Sequence, residues 1–422
     1  MNITKAAIVG AGAMGGGIAQ VISAAGLPVV LKDVDARQLE LARTHLEGIY
    51  RRRVERGRMT AGEAREKIAL VRYTLRYEGW GDVDIVIEAV PEDMAIKRRV
   101  LAELDEHCPL RTMFATNTSA LSITELAAAS GRPGKVVGLH FFNPAHVMKL
   151  VEVIPGVQTD PDVTRAALAF ARRLGKIAVS VRECPGFLVN RLLMPYLNEA
   201  VVCLQEGPAS ALEIDAAMGR DGFGWPMGPL ALMDMLGLDV CHHIIAYLAT
   251  HYGDRLQEAA LLRALYENGH YGQKAGQGFY AYPSNQPSPE VDVLMDGLRK
   301  GGQVAHVGSR FSADRLMALL LNEAFLCVEQ GIASVGDIDV ACVTGLGMQV
   351  RIGGERTPMG PLEYADRAGL DVLLERFQGL QAELGPRFRP APILVHKVRA
   401  GNLGQATGCG FREYRLEDAS DG

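Results

Sequence analysis

Two side chains stand where a proton could be moved. His140 ends the apolar run Val136-Val137-Gly138-Leu139, and Glu152 lies twelve residues on, inside Lys149-Leu150-Val151-Glu152-Val153. An imidazole suits the role of a base because its unperturbed pKa is near neutrality. A carboxylate within an apolar strand is costly unless it is paired. Pairing with His140 would orient the ring and stabilise the imidazolium. The chemistry that fits is oxidation of a secondary alcohol, in which a base takes the hydroxyl proton and an acceptor takes the hydride. Ser119 and Asn190 could donate hydrogen bonds to the oxygen whose charge changes. Spacing alone leaves blander roles open: a packing histidine, a glutamate that caps backbone, a serine that begins a turn.

A hydride acceptor has a place at the start of the chain. Lys5 to Val9 is a short run of strand formers, and Gly10-Ala11-Gly12-Ala13-Met14-Gly15 follows at once as G-x-G-x-x-G. Ile18, Ala19, Val21 and Ile22 then recur at helical spacing, and a second strand, Pro28 to Leu31, runs into Lys32-Asp33. Gly10 permits the tight turn, Gly12 lets backbone approach a pyrophosphate, and Gly15 lets helix and strand pack closely. The helix N-terminus, with Ala13 and Met14 in its first turn, offers partial positive charge to phosphates. Asp33 can accept hydrogen bonds from a ribose hydroxyl and would repel a 2′-phosphate, which favours NAD over NADP. Lys32 and Arg37 pull the other way.

The elements that must position these groups follow. Val83 to Ala89 reads as a buried parallel strand, Met94 to Glu106 as a helix, and Thr112 to Thr116 as a strand ending at Asn117. Ser122-Ile123-Thr124-Glu125 has the spacing of a capping box. Strands and helices alternate to about residue 182, which predicts a doubly wound sheet with ligands at the carboxyl ends of its strands. Asn117, Ser119, His140 and Asn143 lie at or just beyond such ends. Arg51, Arg52, Arg53, Arg56 and Arg58 form a basic cluster after Asp33, either a solvated helix face or a contact for an anionic substrate tail.

The second half repeats itself. Asn198-Glu199-Ala200, Cys203, Gly207 and Ile214-Asp215 return at an offset of 124 as Asn322-Glu323-Ala324, Cys327, Gly331 and Ile338-Asp339. Pro226 to Leu230, Gly237 to Val240 and Gly278-Phe279 return at an offset of 132, so the second copy carries eight extra residues, near 346–356. Both copies read as helical. The expected division is a Rossmann-type domain over 1–183, a helical domain over 184–285, a linker over 286–309 around the Pro- and Ser-rich stretch from Tyr282, and a second helical domain over 310–415. Asn190 becomes Asp314 and Lys274 becomes Ala406, so the first copy is expected to help build a site and the second to be structural.

Composition bounds the partners. The chain is 48% apolar and 22% charged, the balance of a globular protein. A net charge of −5 disfavours nucleic acid. The apolar runs are too short for membrane insertion, and no signal-peptide pattern precedes the first strand. Seven scattered cysteines without ligand spacing point to a reducing cytoplasm and no metal.

The motifs together resemble the 3-hydroxyacyl-CoA dehydrogenase family over nearly the whole chain. They are GAGAMGGGIAQ from Gly10, IEAVPED from Ile87, ATNTSALSI from Ala115, GLHFFNPAHVMKLVEVI from Gly138, CPGFLVNRLLMPYLNEA from Cys184 and WPMGPLALMDMLGLD from Trp225. The tandem C-terminal copies are similar to those in the dehydrogenase half of multifunctional fatty-acid oxidation enzymes. Their hydratase domain is not expected, because Met1 nearly abuts the first strand. The resemblance implies NAD as cofactor and an (S)-3-hydroxyacyl-CoA thioester as substrate. It implies His140 as base, Glu152 as its partner, and Ser119 and Asn190 as substrate-positioning residues. It also implies Asp33 on the ribose, Glu92, Lys97, Asn117 and Asn143 on the nicotinamide side, and Lys274 from the C-terminal half. Short members of the family dimerise through one C-terminal domain, so the second copy is expected to make a pseudo-dimer within one chain, which can stand as a monomer. The loop over 345–357 departs from the multifunctional enzymes. Two alternatives stand beside this reading: a sugar-acid dehydrogenase of the L-gulonate type, and a non-catalytic NAD-binding structural protein.

Overall fold

Short apolar runs, each bounded by turn residues, become the strands of one sheet. A computed structural model describes residues 3–304 and 311–415. The chain divides into two units, Met1–Phe187 and Leu188–Gly422. The division falls a few residues beyond the expected 183, because the turn Cys184 to Phe187 packs with the first unit.

The strands of the first unit are β1 (Ala6–Val9), β2 (Val29–Lys32), β3 (Val71–Thr74), β4 (Ile85–Glu88), β5 (Met113–Thr116), β6 (Val136–Phe141), β7 (Leu150–Pro155) and β8 (Ile177–Ser180). Their order is β3-β2-β1-β4-β5-β6-β7-β8. The first six are parallel, as right-handed crossovers require. This is the doubly wound order expected, with one change of direction at its edge: β7 runs antiparallel to β6, and β8 is parallel to β7. The connection from Phe141 to Leu150 is too short for a crossover, which needs a dozen or more residues, so the chain turns straight back.

Helices α1 (Ala13–Ala24), α2 (Ala36–Glu55), α3 (Ala61–Ala69), α4 (Met94–His107), α5 (Ile123–Ala128) and α6 (Pro161–Arg173) fill the connections. Alternation along β1 sets the two layers. Ala6 and Ile8 face a core with Ile18 of α1, Leu39 of α2 and Phe170 of α6. Ala7 and Val9 face the other, with Leu101 of α4 and Leu126 of α5. The expected capping box at Ser122 is half made. Its hydroxyl accepts from Glu125 N, but the Glu125 carboxylate pairs with Arg98 instead of returning to the cap.

The second unit carries the repeat. α7 (Val189–Glu206), α8 (Ala211–Met218), α9 (Pro229–Leu236), α10 (Leu238–Tyr252) and α11 (Ala260–Glu267) are followed by α12 (Pro289–Lys300). Then come α13 (Ala313–Glu329), α14 (Val335–Gly345), α15 (Pro361–Ala368), α16 (Leu370–Leu384) and α17 (Pro392–Arg399), the counterparts of α7 to α11. Repeated polar residues are structural in both copies. Asp215 accepts from Leu230 N and Asp339 from Leu362 N, each capping the helix that follows. Asp234 accepts from Phe279 N and Asp366 from Phe411 N.

The expected linker over 286–309 is largely helix α12, since the proline at its start suits a first helical position; residues 305–309 lie outside the described ones. The all-helical expectation is also modified. A short hairpin, β9 (Tyr280–Ala281) with β10 (Gln286–Pro287), closes the first copy. The eight extra residues of the second copy form part of another, β11 (Gln349–Ile352) with β12 (Glu355–Pro358). Arg351 N of that hairpin donates to Phe223 O of the first copy at 2.9 Å. Among the described residues no single helix is long and apolar enough to cross a membrane.

α7 and α13 lock the copies together through reciprocal buried ion pairs. Arg191 reaches Glu323 at 2.9 Å, and its counterpart Arg315 reaches Glu199, the counterpart of Glu323, at 2.7 Å. Arg255 adds a second cation to Glu323 at 2.7 Å and Arg387 one to Glu199 at 3.0 Å. Removing one partner of such a pair leaves an uncompensated buried charge. Glu199→Gln is therefore expected to lower the unfolding free energy by about 3 kcal/mol, read by urea unfolding. An unchanged midpoint would show that the pairs contribute nothing to joining the copies.

Candidate active site

The reversal at β7 sets His140 and Glu152 directly opposite each other, since Leu139↔Val153, His140↔Glu152 and Phe141↔Val151 are register partners. Directly opposed residues project to one face of a sheet. His140 Nδ1 and Glu152 Oε2 are 2.6 Å apart. Glu152 is wholly buried and His140 is 6% exposed, so the contact is made away from bulk water. An ionised Glu152 accepts from Nδ1–H, which leaves Nε2 as the basic nitrogen of the neutral ring. Phe142 and Phe187 flank the imidazole, with ring centroids 4.5 and 6.0 Å away.

The glycine turn takes the form the motif demands. Gly10 has φ +101°, and a Cβ there would lie 2.5 Å from Ala89 O. A Cβ on Gly15 would lie 1.8 Å from Gly10 O, so helix and turn can meet only through glycine. A Cβ on Gly12 would meet nothing within 4 Å. Gly12 and Ala13 are exposed at the N-terminus of α1, and Met14 is half-buried. The turn thus leaves open space where backbone N–H groups point outward, the place a pyrophosphate would occupy. The Asp33 carboxylate accepts from Ala11 N at 2.6 Å, Val34 N at 2.7 Å and Asp35 N at 3.0 Å. It is half-buried beside the turn and keeps lone pairs for a diol. Lys32 is turned over the Tyr77 ring at 4.2 Å.

A third group joins the ends of β4 and β5. Lys97 of α4 is 1% exposed and donates to both oxygens of the wholly buried Glu88, at 2.9 and 3.1 Å, and to Val90 O at 3.2 Å. Thr116 Oγ1 donates to Glu88 at 2.6 Å. Lys97 also pairs with Glu92 at 3.1 Å. Glu92 then gathers the next loop, accepting from Thr118 Oγ1 at 2.6 Å, Ser119 N at 2.7 Å, Ser119 Oγ at 3.0 Å and Ala120 N at 3.2 Å. Burial raises the Glu92 pKa, but the Lys97 charge and these hydrogen bonds outweigh it and hold the carboxyl below its ordinary value. Asn117 Oδ1 accepts from Phe141 N at 2.8 Å, which ties the end of β5 to the end of β6.

The structure thus joins His140 with Glu152, Glu92 with Lys97 and Ser119, and Asp33 with the glycine turn. Asn143 is exposed in the loop after β6. Asn190 and Lys274 belong to the second unit. Asn190 is half-buried in the first turn of α7, and Lys274 Nζ pairs with Asp239 at 2.6 Å. In the second copy Asp314, at the place of Asn190, pairs with Arg376 at 3.0 Å, a structural use. Glu88 was missed as a site residue, although the argument made for Glu152, a carboxylate in an apolar strand, applied to it equally. Arg51, Arg52, Arg56 and Arg58 are exposed at the end of α2 and beyond. Burial first, then the charges of His45, Arg52 and Lys176, push the nearby His146 imidazole below its ordinary pKa.

Comparison with known proteins places these features in one family. The family model described as "3-hydroxyacyl-CoA dehydrogenase, NAD binding domain" matches residues 5–184. The model described as "3-hydroxyacyl-CoA dehydrogenase, C-terminal domain" matches twice, over residues 186–282 and 311–414. The chain is 38% identical over 405 residues to the fatty acid oxidation complex subunit alpha of Shewanella amazonensis, covering 95% of this chain and 56% of that protein. The chain spans about half the length of the curated relatives it matches. A crystal structure of 3-hydroxybutyryl-CoA dehydrogenase from Escherichia coli superposes with a TM-score of 0.84 at 28% identity, covering 95% of this chain and 99% of that one. One of (S)-3-hydroxybutyryl-CoA dehydrogenase from Ralstonia eutropha gives a TM-score of 0.65 at 38% identity, covering 67% of this chain and 99% of the other.

The glycine geometry separates two substitutions. Gly12→Ala should keep the thermal midpoint of the parent while weakening NAD binding, since its methyl enters only the open space. Gly15→Ala should lower the midpoint, since its methyl meets backbone. Equal effects of the two on stability and on NAD titration would contradict this assignment.

Proposed function

The chain belongs to the 3-hydroxyacyl-CoA dehydrogenase family, and on that premise we propose that it oxidises (S)-3-hydroxyacyl-CoA to 3-ketoacyl-CoA with NAD, in fatty-acid β-oxidation or a related acyl-CoA pathway. The observation that carries the reading is the buried His140–Glu152 contact at 2.6 Å. His140 Nε2 takes the proton of the 3-hydroxyl. Glu152 holds the ring in the tautomer that leaves Nε2 basic and stabilises the imidazolium. NAD, when bound, supplies the hydride acceptor, and the Gly10–Gly15 turn, the α1 N-terminus and Asp33 suit its pyrophosphate and ribose. Asn117 and Asn143 face its nicotinamide side in this reading. Lys97 is buried, so its part is to brace Glu92, which in turn holds the Ser119 loop. The Ser119 hydroxyl can turn its hydrogen from Glu92 towards the substrate oxygen, and the family resemblance gives Asn190 a substrate-positioning role and Lys274 a cofactor-side one.

The exposed arginines at the end of α2 and beyond suit the several phosphate charges of CoA better than the single carboxylate of a sugar acid, which disfavours an L-gulonate substrate. The full-length match to a 3-hydroxybutyryl-CoA dehydrogenase favours a short acyl group. Five of the seven cysteines are buried, which fits a reducing cytoplasm. The reciprocal ion pairs between α7 and α13 support a pseudo-dimer that works as a monomer.

His140→Gln is expected to lose roughly 10²–10⁴ in kcat while keeping NAD affinity. Near-normal turnover would remove His140 from the base role. Steady-state assays from C4 to C16 3-hydroxyacyl-CoA, with L-gulonate alongside, should give the highest kcat/KM at C4, and gulonate turnover alone would refute the thioester reading. Deleting residues 290–422 strips the α13 partners from Arg191 and Glu199. The product should be insoluble or newly dimeric by light scattering, and a soluble, active monomer would overturn the pseudo-dimer.

A further inference from the structure

We infer that Phe187 is a positioning residue for this reaction: a strained turn presses its ring against the His140 imidazole and fixes where Nε2 points. The inference rests on the reading of His140 as the base. Among the described residues, Phe187 and Asn285 are the non-glycine residues with positive φ. Asparagine visits that region readily, whereas a phenylalanine at φ +52° is rare. Such outliers persist where the surroundings over-determine them and point towards function.

The turn is built to hold this conformation. Pro185 and Gly186, with Gly186 at φ +75°, take the two central positions in the order a type II turn uses. Phe187 N donates to Cys184 O at 2.9 Å. Cys184 Sγ donates back to Phe187 O at 3.1 Å. The side chain is 1% exposed, and its ring meets that of His140 at 57°. In the second copy the corresponding residues are Gly308-Ser309-Arg310-Phe311, which keep the phenylalanine without the Cys-Pro-Gly that turns it.

A wall is needed because the Glu152 contact fixes one atom of the imidazole, not its plane. The second side-chain torsion of histidine has a broad well, so the ring can swing about a single hydrogen bond. Phe142 and Phe187, whose ring centroids lie 4.5 and 6.0 Å from that of His140, limit that swing. A misplacement of about 1 Å at a reacting group can cost about a hundredfold in rate.

Phe187→Gly removes the ring and relieves the backbone, and Phe187→Asn does the same with a bulkier residue should the glycine variant fail to bind NAD. Phe187→Leu restores apolar bulk. The expected result is a roughly ten- to hundredfold loss of kcat for Phe187→Gly with KM and NAD affinity kept, and recovery of most of the loss in Phe187→Leu. In a His140→Gln background Phe187→Gly should cause no further loss, because the ring acts only through the imidazole. Parental kcat in both Phe187→Gly and Phe187→Asn, or losses that multiply in the His140→Gln background, would overturn the proposal. Near-normal turnover of His140→Gln alone would bring down the base reading and this inference with it.

Discussion

The site depends on a strand that returns too soon to run parallel. The short connection after Phe141 forces β7 back along β6, and the resulting register sets Glu152 opposite His140. A one-residue slip would turn the carboxylate to the other face of the sheet. Burial then makes the contact obligatory, because a carboxylate without a partner at that depth would cost several kcal/mol. The pair is thus a consequence of topology first and of side-chain chemistry second.

Sheet order carries the rest. β1, β4, β5 and β6 are neighbours, and at their carboxyl ends stand the glycine turn, Glu88, Asn117 and His140. The physical device used for the histidine recurs two strands away in the same sheet. A wholly buried glutamate at a strand end, Glu88, holds a buried lysine, and that lysine holds Glu92, which gathers Thr118, Ser119 and Ala120. In a low-dielectric setting such networks rigidify loops when each member is satisfied. The second unit applies the same economy of charge, with reciprocal arginine–glutamate pairs where its two copies meet.

Much of this was legible in the sequence wherever one local rule decided the outcome. The glycine spacing announced the turn, Asp33 its acid, and the offsets of 124 and 132 announced helices that now stand as counterparts. Glu152 was legible because an isolated charge in an apolar strand demands a partner. What stayed hidden needed information from distant residues. Lys97 looks like any helix lysine until Glu88 is placed beside it, and Arg191 shows no partner until Glu323, 132 residues away, is packed against it. The prolines and serines near residue 285 disguised α12, since a proline that ends one segment also suits the first turn of the next helix. The Ser122 capping box failed by half because Arg98, on another helix, competed for Glu125.

The account stands on Glu152 setting the tautomer of His140, and Glu152→Gln tests this most directly, because the amide keeps size and shape while removing the charge. Steady-state oxidation of 3-hydroxybutyryl-CoA should fall by about three to four orders of magnitude in kcat, with NAD affinity and thioester KM near those of the parent. Turnover within a few-fold of the parent would contradict the central claim.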